Sequence, residues 1–256
     1  MYRFFCDRSQ IHDGEVRIIG EDVRHIKNVL RMKPGEEILV SCGDDWEYTC
    51  EITSLSEEEV RAAVTDAQKP GRELPSRITL FQCLPKGDKM ETVIQKAVEL
   101  GAAEIVPVSS ARCVVRLDAK KAAARVKRWN AIAESAAKQA KRMIIPEVHE
   151  VMSFSAALQY ARVTDPGKAP VLLIPYENAE GMSETKKLLA SIEPGQLVAV
   201  MIGPEGGFEE TEVQEAEQAG FTPITLGKRI LRTETAGMAV LSVLMFLLEE
   251  TDGNLS

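Results

Sequence analysis

The sequence lacks the features that would assign it to a membrane, secreted or metal-binding class. No apolar run is long enough to span a bilayer, and the first ten residues, MYRFFCDRSQ, contain no apolar signal core. The five cysteines include no CxxC pair, and the three histidines are scattered. An odd number of unpatterned cysteines predicts reduced thiols, without a disulfide framework or a metal site. We therefore expect a cytoplasmic protein with no membrane association.

Positive charge is scarce overall but concentrated in one segment. The 256 residues carry a formal net charge of -8. Residues 112–142 nevertheless contain ten Lys or Arg and only two acids, Asp118 and Glu134. A local excess of this kind is typical of a nucleic-acid-binding surface. The alternative is a solvated helix face, which is the more common meaning of a charge run.

The first 66 residues have the pattern of a small β-domain. Strand-like segments at 15–19, 37–42, 46–52 and 60–64 alternate with turn signals, and one helix pattern occupies 21–32. Short strands punctuated by turns favour a small barrel. The polar segment 66–76 contains two prolines and a glycine and is typical of a linker. We predict a first domain at 1–70 and a second at 74–256.

The pattern after residue 77 alternates between strand and helix. Strands are predicted at 78–83, 104–108, 171–175 and 197–202, and helices at 89–100, 119–141 and 184–191. This alternation predicts an α/β domain with a mainly parallel sheet. The final helix, 235–249, is apolar on nearly every face, so we expect it to be buried all round, with its outer face in a subunit interface.

Two glycine loops follow predicted strands and mark the candidate pocket. IGPEGGF occupies 202–208 and LGKRILRTETA occupies 226–236. Ligands of open α/β sheets bind outside the carboxyl ends of the strands, so the loops are expected to form two walls of one pocket. The first loop fits neither the Walker nor the dinucleotide pattern. Glycines let backbone approach a ligand closely, although a tight strand-to-helix turn would explain the first loop equally well.

Charged residues beside these loops have both structural and chemical explanations. Thr233 or Thr235 is a candidate N-cap, and Glu234 suits the positive end of the helix. Arg232 lies between an apolar pair and the helix start, where it would face the pocket. The segment 84–91 adds Lys86 and Lys89, which would suit phosphate.

The combined motifs resemble those of a known family. IGPEGGF, LGKRILRTETA and KGDKMETVIQKAVELG (86–101) are similar to the SPOUT-class methyltransferases. They most resemble the bacterial family that methylates ring nitrogen 3 of a uridine in 16S ribosomal RNA. VLRMKPGE at 29–36 also matches, as do His25, Arg112, Trp129, Gln139, Arg142 and Pro146. The resemblance covers nearly the whole chain.

This resemblance implies a fold, a cofactor and partners. The fold would be an α/β domain whose mainly parallel sheet contains a deep trefoil knot, preceded by a PUA-like β-barrel that binds RNA. The cofactor would be S-adenosylmethionine, the assembly a homodimer, and the substrate uridine 1498 of the small-subunit RNA. The implied cofactor-binding residues are Leu173, Ile174, Pro175, Gly203, Pro204, Glu205, Gly206, Gly207, Leu226, Ile230, Leu231, Thr235 and Ala236.

The expected chemistry needs no metal, because the sulfonium of the cofactor already activates the methyl group. Arg232 would stabilise the uracil anion electrostatically, and either Glu234 or bulk hydroxide would take the ring proton. The residues expected to contact RNA are Arg3, His25, Arg31, Lys86, Lys89, Arg112, Arg116, Arg128 and Arg142. Two alternatives are a SPOUT enzyme acting at another RNA position and a non-catalytic ribosome-assembly factor.

Overall fold

The computed structural model describes residues 1–162 and 169–249, which divide into two compact units. Unit 1 comprises Met1–Glu73 and Ala137–Ile145, and unit 2 comprises Leu74–Ala136 and Pro146–Ser256. The sequence pattern predicted two continuous domains, whereas unit 1 also includes a segment from much later in the chain.

Polar contacts explain why this later segment belongs to unit 1. The Glu73 carboxylate accepts hydrogen bonds from Arg142 Nε at 2.8 and 2.9 Å and from the Met143 N–H at 2.7 Å. Lys138 Nζ lies 3.1 Å from Asp22 Oδ1, across 116 positions of sequence. Local sequence patterns do not report contacts of this range.

Unit 1 is built on a curled six-stranded sheet with the order β1-β4-β5-β6-β3-β2. Its strands are β1 Tyr2–Phe5, β2 Ile11–His12, β3 Glu15–Ile19, β4 Glu37–Ser41, β5 Glu47–Leu55 and β6 Glu59–Gln68. The predicted strands are confirmed with shifted ends, while β1 and β2 were not predicted. The predicted helix at 21–32 is an α-helical turn, α1 (Glu21–Arg24), continued as a π-helix over His25–Val29.

Alternation of apolar and polar residues determines which face of this sheet is buried. Val16 and Ile18 of β3 are buried while Arg17 between them is exposed, as the two-residue repeat of a strand requires. The same alternation buries Ile38 and Val40 of β4. These side chains form one core cluster, which stabilises unit 1 mainly through burial of apolar surface.

Unit 2 contains a seven-stranded sheet in which every recorded strand pairing is parallel. Its strands are β7 Arg77–Cys83, β8 Glu104–Ser109, β9 Glu147–Val148, β10 Met152–Ser153, β11 Val171–Pro175, β12 Leu197–Ile202 and β13 Thr222–Ile224. The main order is β10-β8-β7-β12-β11-β13, and β9 pairs with β8. The predicted mixed α/β class is therefore confirmed.

Six helices of the described residues accompany this sheet. They are α2 Lys89–Glu99, α3 Ala119–Gln139, α4 Phe154–Ala161, α5 Met182–Ala190, α6 Glu210–Gln218 and α7 Thr233–Leu248. Helix α4 was not predicted, and the last three residues of α3 belong to unit 1. No helix in the described part of the chain combines the length and apolar character that crossing a membrane would require.

Helix α7 has one buried and one exposed face in the single chain, so burial of its outer face in a subunit interface stays a prediction. Its inner face, which includes Val240, Leu241 and Leu244, is almost fully buried. Phe246 on the other face is 81% exposed, and its neighbour Leu247 is 46% exposed. The helix is apolar on nearly every side, but one face packs within unit 2 and the other is exposed at the surface of the chain.

A polar cluster lies at the amino-terminal ends of β7 and β8, beside the short strand β9 and at the opposite end of the sheet from the glycine loops. The Glu104 carboxylate forms an ion pair with Arg77, accepts a hydrogen bond from Tyr160 Oη at 3.0 Å and lies 3.4 Å from His149 Nε2. His149 and Arg77 hold the pKa of Glu104 at about 2, despite partial burial. The same hydrogen bond raises the pKa of His149 above its ordinary value of 6.5.

This cluster predicts a stability optimum in mildly acidic solution. The Glu104 contribution is complete above pH 4.5 and is lost as the pH falls towards 2. The His149 contribution is complete below pH 6.5 and is lost as the pH rises through the raised pKa. Thermal unfolding of His149→Gln, measured from pH 4.5 to 9, should lack the alkaline decline of the wild type. His12→Gln, an exposed histidine, is the control, and an unchanged alkaline decline in His149→Gln would refute the assignment.

Candidate active site

A cleft of about 960 Å3 opens at the carboxyl ends of three neighbouring strands of unit 2, β12, β11 and β13. Three loops line it, each following one of these strands, together with the start of α7. The volume lies at the upper end of the range for small-molecule sites. The sequence prediction that the two glycine loops face one pocket is confirmed.

The loop after β12 brings backbone to the surface of the cleft. Gly207 has φ +67°, a conformation that L side chains rarely adopt, and its N–H donates to the Pro204 carbonyl at 3.0 Å. A Cβ on Gly207 would lie 2.9 Å from Oε1 of Glu177, and a Cβ on Gly203 would lie 3.1 Å from Cε2 of Phe208. Side chains at these two positions would therefore collide with Phe208 and Glu177, so the loop can pack this closely only with glycine there.

The loop after β13 is tied to the first loop through Thr233. Its hydroxyl donates to the Gly203 carbonyl at 2.6 Å and accepts from Gln82 Nε2 at 2.8 Å. The predicted capping role of Thr233 is wrong, because α7 begins with Arg232 as its N-cap residue and has no side-chain cap. Thr233 instead fixes the distance between the two glycine loops.

A third wall was only partly predicted. The loop after β11, residues 176–182, lines the cleft with Tyr176, Glu177 and Met182, none of which was singled out from the sequence. The sequence signal for these residues is the position of their loop, which directly follows Pro175 at the end of a buried strand. Glu177 is exposed, and its carboxylate lies against the Gly207 backbone.

Lys89 connects two sides of the cleft electrostatically. Its ammonium lies 3.1 Å from Oε1 of Glu205 in the first loop and 3.3 Å from Oε2 of Glu234 at the start of α7. The Lys86 N–H also donates to Glu205, at 3.0 Å. The hydrogen bond to Glu205 raises the pKa of Lys89. Burial disfavours the Glu205 carboxylate, but the Lys86 and Lys89 donors hold its pKa below the ordinary value.

Most of the predicted cofactor-binding residues line this cleft. Those in its walls are Pro175, Gly203, Pro204, Glu205, Gly206, Gly207, Leu226, Ile230, Leu231 and Ala236. Leu173 and Ile174 are buried inside β11 instead, and Thr235 is exposed on α7 outside the lining. Leu173 and Ile174 belong to β11, which runs between β12 and β13, so they support the cleft without lining it.

The two predicted catalytic residues have different surroundings. Arg232 is exposed, lines the cleft, and pairs with no carboxylate among the described residues. Glu234 lies outside the lining and has one carboxylate oxygen close to Lys89. The guanidinium of Arg232 is therefore open to the cleft, whereas the carboxylate of Glu234 is already paired with the ammonium of Lys89.

Two of the predicted RNA-binding arginines are buried. Arg3 is 7% exposed and forms an ion pair with Glu47, which also accepts from Arg72 at 2.5 Å. Arg142 is 5% exposed and is paired with Glu73. Burial and the ion pairs with Glu47 and Glu73 favour structural roles for Arg3 and Arg142 within unit 1 over the predicted contacts with RNA.

The remaining predicted RNA contacts are at the surface, though several already have protein partners. Arg112 Nη1 donates to the Gly206 carbonyl at 3.0 Å, and Arg116 donates to carbonyls of the loop after β8. Arg128 pairs with Glu91 at 2.8 Å. His25, Arg31 and Lys86 are exposed. Within 1–162 and 169–249, no three His, Cys, Asp or Glu side chains converge as a metal site.

Comparison with known proteins identifies the class of protein to which the chain belongs. Residues 72–245 match the family model of the RNA methyltransferase domain, and residues 18–65 match that of the RNA methyltransferase PUA domain. The chain is 39% identical over 258 aligned residues to ribosomal RNA small subunit methyltransferase E of Bacillus subtilis, covering 99% of this chain and all of the relative.

A solved structure shares the same architecture. It is a ribosomal RNA small subunit methyltransferase E from Neisseria gonorrhoeae bound to S-adenosyl methionine. The two chains are 36% identical with a TM-score of 0.81, and the match covers 96% of this chain and 98% of the other. The protein therefore belongs to the RNA methyltransferase family whose curated members are named ribosomal RNA small subunit methyltransferase E.

Proposed function

We propose that the protein transfers a methyl group from S-adenosylmethionine to ring nitrogen 3 of uridine 1498 in 16S ribosomal RNA. The observation that carries the proposal is the cleft formed by two glycine loops at adjacent strand ends, in a chain of the RNA methyltransferase family. The methyl group that S-adenosylmethionine carries on its sulfonium is already electrophilic. The protein must therefore bind the cofactor, orient the uridine and promote removal of the proton on its ring nitrogen 3.

The chemistry of the cleft fits this cofactor. The loop after β12 lines the cleft with Gly203, Gly206 and Gly207, and residues without a Cβ let backbone N–H and C=O groups approach a ligand closely. Ile230, Leu226 and Leu231 supply apolar surface, and the exposed fraction of Ile230 reaches 90%. Contact with the apolar part of a bound ligand would bury this surface and stabilise the complex.

We propose that Arg232 acts on the uracil. Uridine holds a proton on ring nitrogen 3 at neutral pH, and removal of that proton leaves negative charge shared with the two ring oxygens. A guanidinium near those oxygens would stabilise the anion where water is excluded. Glu234 is a weaker candidate for the base because Lys89 already neutralises it, and hydroxide from bulk solvent is the alternative.

RNA binding is assigned to basic residues of both units. Exposed lysines on α3, among them Lys120 and Lys127, would contact phosphate, and the PUA-type unit 1 would position the substrate. His25, Arg31 and Lys86 complete the proposed set with Arg112, Arg116 and Arg128. From membership of this family we also propose a cytoplasmic enzyme and a trefoil knot in the sheet.

Gly207→Ala should weaken S-adenosylmethionine binding about tenfold or more. Alanine at φ +67° is strained by about 1–3 kcal/mol and its Cβ would collide with Glu177, so the loop is expected to shift away from the conformation that lines the cleft. Gly195→Ala is the matched control, since Gly195 has φ +82° but no atom near its missing Cβ. Calorimetric titration of both folded variants with S-adenosylmethionine measures the two affinities. Equal affinities in the two variants would remove the first loop from the cofactor site.

We further propose a homodimer formed through the open face of α7. Val243, Phe246 and Leu247 expose apolar surface there. Sedimentation should give twice the chain mass of 28.2 kDa for the wild type, and Phe246→Glu should shift the protein to the monomer. Gln218→Glu on α6 should remain dimeric. A wild-type protein that stays monomeric at all concentrations would rule the interface out.

Two other functions remain to be separated from this one. A SPOUT enzyme for another RNA position would methylate RNA at a different nucleotide, and an assembly factor would bind cofactor and RNA without turnover. The experiment is methylation of unmodified RNA and of assembled small subunits in parallel, followed by mapping of the methylated base. Methyl transfer to ring nitrogen 3 of uridine 1498 supports the proposal, and transfer elsewhere supports the first alternative.

A further inference from the structure

Two cysteines of unit 1 lie in contact although they are 36 positions apart in the sequence. Cys6 directly follows β1 and Cys42 directly follows β4, and their Sγ atoms are 3.2 Å apart. The strands pair in parallel with Phe5 opposite Ser41, and the Cys6 N–H donates to the Ser41 carbonyl at 3.0 Å. The backbone itself therefore holds the two thiols side by side.

The surroundings of this pair distinguish it from the other three cysteines. Cys6 and Cys42 are partly exposed, whereas Cys50, Cys83 and Cys113 are buried. The hydrogen bond from the Cys6 thiol lowers the pKa of Cys42, and the nearby Arg8 guanidinium adds to the effect. The same hydrogen bond raises the pKa of Cys6. Cys42 is therefore the better nucleophile, and Cys6 is the neighbouring thiol that can attack the Cys42 sulfur in a second step.

We propose that Cys6 and Cys42 form a redox-active dithiol that small-molecule disulfides oxidise to an intramolecular disulfide. The Cys42 thiolate attacks one sulfur of the oxidant, which releases one thiol and leaves a mixed disulfide on Cys42. Cys6 then loses its proton and attacks the Cys42 sulfur, and the second thiol departs. Two protein thiols are oxidised and one disulfide is reduced to two thiols, so atoms and electrons balance.

The structure needs little adjustment to accommodate this bond. The sulfurs, now 3.2 Å apart, must approach by about 1.2 Å to reach disulfide length. The bond would tie β1, an edge strand, to β4, its neighbour in the sheet order. Oxidation is therefore expected to slow amide hydrogen exchange in Tyr2–Phe5 and to raise the thermal midpoint by several degrees.

The test uses the folded full-length protein and oxidised glutathione. We expect the wild type to lose two hydrogens in intact mass without retaining glutathione. Digestion without reductant should yield one cross-linked peptide pair containing Cys6 and Cys42, and dithiothreitol should reverse the link. Cys6→Ser should instead retain one glutathione on Cys42, because the second thiol is missing. Cys42→Ser should react much more slowly than Cys6→Ser.

Three results would overturn the proposal. One is stable glutathione on Cys42 of the wild type, which would show that Cys6 does not follow. Another is a disulfide that involves a buried cysteine. The third is a folded wild type that stays reduced while the urea-unfolded chain oxidises. Peptide mapping of the wild type decides even if a serine variant folds poorly.

Discussion

Arg232→Ala should lower the single-turnover rate of RNA methylation by about 10²–10³-fold, with the affinities for RNA and S-adenosylmethionine close to wild type. Arg232 is exposed at the rim of the cleft and no carboxylate of the described residues neutralises it. Its proposed contribution arises only once the uracil carries negative charge. A contribution of that kind lowers the rate constant of the chemical step and leaves ground-state binding unchanged.

Two further variants, Arg232→Lys and Arg162→Ala, test whether the loss of rate is specific to the guanidinium of Arg232. Lysine keeps the charge but lacks the planar fork of donors, so Arg232→Lys should recover part of the rate. Arg162 is an exposed arginine of unit 2 outside the cleft, and its removal should have little effect. Retention of the full rate by Arg232→Ala would assign anion stabilisation to another residue.

Reversing two charges on α3 should weaken RNA binding about tenfold or more at 0.1 M salt and leave cofactor binding unchanged. Lys120→Glu with Lys127→Glu places the changes seven residues apart, on one face of the helix. Each lost phosphate contact also reduces the salt dependence, by about 0.7–0.9 in the slope of log affinity against log salt concentration. Filter binding over a salt series measures both quantities.

A double variant of equal charge change is the control for this effect. Lys186→Glu with Lys187→Glu alters two exposed lysines of α5 and gives the same net charge. If both double variants weaken RNA binding equally, only overall charge matters and α3 is not the contact surface. A loss confined to the α3 variant supports the proposed surface.

The cleft was predictable because its signals are local. IGPEGGF and LGKRILRTETA each follow a strand pattern, and the rule that ligands bind at strand ends brings them together. Position 207 requires a residue that tolerates a positive φ, which its glycine already indicates. The loop at 176–182 lacks such a motif, so only its place after β11 could have indicated it.

Pairings over long sequence distances were not predictable from these patterns. Arg3 was expected to contact RNA, yet Glu47, 44 positions later, pairs with it in a buried site. Lys89 was expected to meet phosphate, but Glu205 and Glu234 lie within 3.3 Å of it. Single-sequence patterns describe which face of an element is apolar and do not identify the ionic partner of a side chain.

The role of Thr233 shows the same limit at short range. A threonine at the start of a helix ordinarily predicts an N-cap. Here its hydroxyl is occupied by the Gly203 carbonyl and Gln82, both brought close by the order of strands in the sheet. Tertiary contacts therefore decide between two roles that the local sequence permits.

The most direct measurement is methyl transfer followed by mapping of the product. Unmodified 16S ribosomal RNA and assembled small subunits are incubated with the protein and methyl-labelled S-adenosylmethionine, and nuclease fragments are analysed by mass spectrometry. The predicted result is a single methyl group on ring nitrogen 3 of uridine 1498, absent with Arg232→Ala over the same time course. Labelling of another nucleotide, or cofactor binding with no transfer to either substrate, would contradict the proposed function.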